Sequence, residues 1–242
     1  MAFSILLIAG CDQASVEEDP EASETDIQTQ QAVPFHVTSG ERLAPEASEA
    51  RQLRAFLSTH KEIATENVNF SKLSVIKMDV KGYEGAVSAV VAPLRRASSA
   101  SIPVPSEGKD KTYSVNHSQL IYLPSIEKSV TVDWHRTGES SSGNWNGFAQ
   151  FDTPDADFVY SVENGLPVDK TYQNFSGEGT PVTKDDCLSG PDCSTSECYQ
   201  TATDACDGDP DCNLACDLID PATGGACTVS IAAACLYVNT IG

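Results

Sequence analysis

Between Cys11 and Cys187 the chain has no cysteine, and from Asp185 to Gly242 it has no lysine, arginine or histidine. The first absence confines eight of the nine cysteines to the last quarter, as Cys187, Cys193, Cys198, Cys206, Cys212, Cys216, Cys227 and Cys235, and leaves Cys11 alone near the start. The second leaves ten acids without a counter-charge. A segment without cations cannot gain affinity for nucleic acid by displacing counterions from phosphates, so nucleic acid is not expected as a partner. The same lack removes electrostatic attraction to anionic lipid headgroups. No apolar run approaches the ~18 residues needed to cross a bilayer. Also missing are an HExxH motif, a glycine-rich phosphate loop and a Gly-x-Ser-x-Gly elbow, and His36, His60 and His117 are scattered without ligand spacing. Neither a metal nor a cofactor is expected, and no catalytic residue is assigned.

What is present is uneven. The 35 acids and 15 bases divide into three zones: seven acids and no base over residues 12–31, 18 acids and 15 bases over 33–184, and the cation-free tail. The first zone has almost nothing to bury, so residues 11–32 are expected to be a disordered acidic tether reaching roughly 25 Å on average. Domain junctions are placed near 32 and 180. Eight closely spaced cysteines form an even set, and such a set reads as a disulfide framework, which requires an oxidising compartment. The segment Ile8-Ala9-Gly10-Cys11 follows the apolar run Ala2-Phe3-Ser4-Ile5-Leu6-Leu7 and looks like a bacterial lipobox. That resemblance implies that residues 1–10 are a signal peptide and that Cys11 is lipidated and becomes the mature N-terminus. It also implies that the protein meets the membrane through more than one acyl chain, which gives stable anchoring. The basic n-region of a signal peptide is missing before Cys11, so a translation start upstream of Met1 is expected.

The middle zone, 33–180, is long enough for one core. Pro45 at a first helical position, Glu46 and Glu49 in the first turn, and Ala50, Leu53, Phe56 and Leu57 at helical spacing predict a helix ending near Lys61. Beyond Asn67 the period shifts towards two. Residues 73–80 and 86–91 flank the turn Lys81-Gly82-Tyr83-Glu84-Gly85 as a hairpin, and further strands are expected at 112–115, 119–123, 129–135, 147–151 and 157–162. Asp133-Trp134-His135 with Ser140, Ser141 and Ser142 close by is the nearest approach to a nucleophile, base and orienting acid. A strand running into a flexible loop is the simpler reading of it.

The tail spacing, C-x5-C-x4-C-x7-C-x5-C-x3-C-x10-C-x7-C, contains no C-x2-C knuckle, which favours disulfides over zinc. Ser194-Thr195-Ser196-Glu197 has the form of a capping box and predicts a helix carrying Cys198 and Cys206. A second helix is expected from Asp209-Pro210, placing Cys212 and Cys216 on one face, and a nearly uncharged third segment runs from Ala226 to Val238. Asp207-Gly208-Asp209-Pro210-Asp211 offers oxygens at alternate positions but lacks a full calcium-loop signature. Taken together, the residues predict an α+β chain: one helix plus an antiparallel β meander, followed by a small disulfide-rich helical C-terminal domain at 181–242. Residues 187–242, above all Gly225-Ala226-Cys227 through Ala234-Cys235, resemble the tails of cysteine-rich halocin-like bacteriocin precursors. In that family the C-terminal peptide is an antimicrobial toxin and the preceding region confers immunity. The expected function is an exported, lipid-anchored, non-enzymatic envelope protein with a disulfide-stapled acidic interaction module, its partner an unknown protein or a target-cell envelope. The resemblance implies the alternative, a precursor whose tail is secreted after cleavage near Gly177-Glu178-Gly179-Thr180-Pro181.

Overall fold

The computed structural model describes residues 35–95, 100–104, 111–139, 145–153, 156–164, 166–175, 195–207 and 226–241. Half of the described residues lie in strands. Strands β1 (Phe35–Arg42), β2 (Ser74–Val80), β3 (Ala86–Pro93), β6 (His117–Leu123), β7 (Lys128–Glu139), β8 (Trp145–Asp152), β9 (Ala156–Glu163) and β10 (Leu166–Phe175) form one sheet in that order. Every pairing is antiparallel, and the sheet curls into a half-barrel. Strands β4 (Ser101–Val104) and β5 (Lys111–Ser114) form a separate two-stranded ribbon between β3 and β6. Three α-helices are described: α1 (Ser48–Thr59), α2 (Thr195–Asp207) and α3 (Ala226–Ile241).

Tight turns hold the meander together. Glu127 turns β6 into β7 at φ 52° and Asn164, in the hairpin signature Asn164-Gly165, turns β9 into β10 at φ 53°. The strands β2, β3 and β6 contain consecutive buried residues, such as Val90, Val91 and Ala92 or Leu120, Ile121, Tyr122 and Leu123. Uninterrupted apolar runs of that kind mark strands covered on both faces. On one face α1 places Ala50, Leu53 and Leu57 against Val90, Leu120 and Tyr122. Further along that face the β4–β5 ribbon packs Ile102 and Val104 against Val159 and Phe148. The opposite face carries Ile76, Ile121, Val132, Trp134, Phe151 and Phe158, and it is covered by α2 and α3.

This arrangement corrects the expected α+β fold of one helix, a meander and a separate helical domain. The chain is mostly antiparallel β, and the described tail helices share the sheet's own core. The reason is physical: α1 and the ribbon can cover only one face, and the second apolar face would meet water without α2 and α3. The described residues all fall in one compact unit. Strands β1, β4 and β10 were not expected from the sequence. A register shift after Val37 in β1, Pro103 in β4 and two register shifts in β10 break the alternation by which strands are recognised.

Candidate functional site

The stapled helix pair is the first candidate. Cys198 of α2 and Cys235 of α3 are joined by a disulfide with a Cα–Cα distance of 5.5 Å. The capping-box stretch does open a helix at Thr195, and Asn239 Nδ2 at the far end of α3 donates to Thr195 Oγ1 at 3.2 Å. The two helices therefore run antiparallel. Helix α3 carries no charged residue, and from Thr228 to Leu236 every side chain is buried. A helix that is apolar all round is stable in water only when enclosed, and α3 is enclosed by the sheet and by α2. Tyr199 inserts from α2 among Phe151, Phe158 and Tyr160, with ring centroids 4.8 to 5.5 Å away. Complete burial raises the Tyr199 pKa, the nearby Tyr160 adds to the rise, and the Thr228 hydroxyl opposes it. Tyr160 donates its hydroxyl to Gln200 Oε1 at 2.9 Å, which satisfies a polar group that the sheet would otherwise strand.

A second cluster lies towards one end of the same sheet face. Trp134 Nε1 donates to Gln119 Oε1 at 3.2 Å, and both residues are fully buried. The Trp145 ring meets Trp134 edge-on at 5.2 Å and His117 edge-on at 4.5 Å, while the Arg136 guanidinium lies 3.8 Å from its centre. Asn116 fixes Arg136 from the backbone, donating Nδ2 to its carbonyl and accepting its N–H, each at 2.9 Å. The His117 Nε2 is buried without a hydrogen-bond partner. Desolvation, reinforced by the charges of Arg136 and Lys72, lowers its pKa to about 4, so the ring is neutral near pH 7. Asn116, Arg136, Thr137 and Gly138 line an open depression of about 530 Å³ beside it. Single residues at strand period did not single this cluster out in the sequence. Only pairing across β6, β7 and β8 brings His117, Trp134 and Trp145 together.

Asp133 and His135 alternate along β7 on the opposite face. His135 Nδ1 donates to the Ser114 carbonyl at 2.8 Å, and its ring packs 4.9 Å from Tyr113, so the histidine is built into the contact between the ribbon and the sheet. Ser140, Ser141 and Ser142 lie outside the described residues, as do Cys11, Cys187, Cys193, Cys212, Cys216 and most of the oxygen-rich run after Asp207. Cys206 falls in the last turn of α2 and Cys227 in the first turn of α3. Among the described residues, no group of three or more histidines, cysteines or acids is placed to hold a metal. No described helix is long and apolar enough to cross a membrane. No family model, curated protein or solved structure matches this chain.

Proposed function

We propose that this is an exported protein of the bacterial envelope, anchored by lipid at Cys11, which acts by binding rather than by catalysis. The observation that carries the reading is the Cys198–Cys235 bond, because a disulfide joining two core helices needs an oxidising compartment to form and persist. The lipobox resemblance at Ile8-Ala9-Gly10-Cys11 supports export independently, from the other end of the chain. In this reading the tail stays part of the chain, and its ten acids after Lys184, unopposed by any base, give it the negative charge that a partner meets. The partner is a protein of the envelope or the surface of a target cell.

A second reading, the halocin-like precursor, is favoured by one packing feature. The sheet encloses α3, as a body that keeps a toxic tail silent would. The two readings separate on a single experiment: the non-reduced intact mass of the protein recovered from the membrane and from the medium of an exporting bacterial host. An acylated, oxidised chain beginning at Cys11, confined to the membrane, is the expected result. An oxidised fragment of roughly the last sixty residues in the medium would replace it with the precursor reading, and a fully reduced, unlipidated chain would remove both.

A further inference from the structure

Register shifts gather at the edges of sheets, and in this sheet the outermost pairs, β1 with β2 and β9 with β10, both carry them. A further shift lies in the interior, where Arg136 pairs with Gly147 and Gly138 with Asn146, leaving Thr137 as the extra residue of β7. A bulge inside a sheet re-aims the side chains beside it, and such bulges recur next to functional sites. Just before β6, Asn116 holds both backbone groups of Arg136 with its side chain and donates its own N–H to the Trp134 carbonyl at 2.9 Å. The Arg136 guanidinium is held as well, 3.8 Å from the centre of the buried Trp145 ring. A cation fixed at backbone and head thus stands in the wall of the open depression of about 530 Å³ beside it. That volume is on the scale of small-molecule sites.

Positive charge gathers at this place, since Arg136 and Lys72 both act on the adjoining His117, in a chain whose net charge is -20. A guanidinium offers two parallel N–H groups that match the two oxygens of a carboxylate. One that is already immobilised loses little further side-chain freedom when it binds. The net negative charge of the whole chain repels polyanions at long range, so the fitting ligand carries a single charge. We propose that the depression beside Arg136 binds a small monocarboxylate, its two oxygens on the Arg136 guanidinium and its body in the space lined by Thr137 and Gly138. The inference stands apart from export and from the lipid anchor.

The chain's two tryptophans, Trp134 and Trp145, both belong to this cluster, so their indole N–H resonances report on it directly. The probes for the full-length protein are sodium acetate, butyrate and benzoate, the uncharged acetamide, butyramide and benzamide, and inorganic phosphate, all at constant ionic strength. At least one carboxylate should shift the Trp145 resonance saturably, with a dissociation constant on the order of 1 mM, while its amide leaves it unmoved. Arg136→Lys keeps the charge but not the fork and should weaken that binding about tenfold. Lys72→Ala, at an exposed position where folding is not at risk, should weaken it about twofold by removing long-range attraction alone. No saturable shift with any carboxylate, equal saturation by the amide, or undiminished affinity in both variants overturns the proposal. Tighter saturation by phosphate overturns the choice of a carboxylate.

Discussion

Gly147 sits at φ +142° where β8 passes the register shift between Arg136 and Gly138 of β7, and a Cβ there would overlap the His135 carbonyl oxygen. The obstacle is backbone, which cannot swing aside as a flexible side chain can. Gly147→Ala is therefore expected to cost at least ~2 kcal/mol through strain and displaced strand pairing, read as a fall in urea midpoint. An unchanged midpoint would mean that β7 and β8 do not approach as described. His117 gives a pH-dependent counterpart. Its folded pKa of about 4 lies below the unfolded value of 6.5, so the unfolded chain binds the extra proton between those limits. Its contribution to stability is complete above about pH 6.5 and is lost as the pH falls towards 4. His117→Gln should flatten the stability profile over that window relative to the parent chain, whereas parallel profiles would place His117 in water. Both residues were present in the sequence, yet neither role could be read from it. An overlap with a carbonyl 12 positions away and an imidazole set edge-on against Trp145 exist only once β6, β7 and β8 are paired.

At the scale of elements, α1 was legible from the sequence because its spacing of Ala50, Leu53 and Leu57 is a local property, and the same residues form its buried stripe. Leu53 is fully buried against the sheet, and Leu53→Ala should cost about 2 to 5 kcal/mol by the usual cavity penalty. Thermal unfolding checks it, and a shift under a degree would mean that α1 adds little to the core. The pair α2 and α3 depends more on its covalent link. Closing 37 residues in the unfolded chain gives the Cys198–Cys235 bridge about 4 kcal/mol on the chain-entropy account. The double variant Cys198→Ser/Cys235→Ser should lose about that much in equilibrium urea unfolding under oxidising conditions. Equal stability would show that packing alone holds the helices. The starts of both helices were anticipated from Thr195 and from the uncharged run after Ala226, since caps and composition act over a few residues. The partner of each helix was not, because that depends on which sheet face is left open.

For the whole molecule the question is whether the tail is a module or part of the core. Trp134, enclosed in the core cluster that includes Ala232 and Leu236, reports on both parts at once. Unfolding followed by tryptophan fluorescence and by far-ultraviolet circular dichroism should give one coincident transition. A chain ending at Lys184 should bind a hydrophobic dye and lose its near-ultraviolet signal, since the sheet face carrying Ile121, Val132 and Phe151 would be bare. A truncated chain with native tryptophan spectra would restore the separate-domain reading. The sequence by itself determined the turn positions, the helix α1, most of the meander strands and the cysteine set, because each is written in neighbouring residues through capping, alternation and spacing. It also marked the change in charge and cysteine use near 180, and that boundary is real as composition. Only tertiary structure decided that the boundary does not separate two cores: a curled antiparallel sheet with apolar residues on both faces must cover both, and the uncharged α3 has no other place in water.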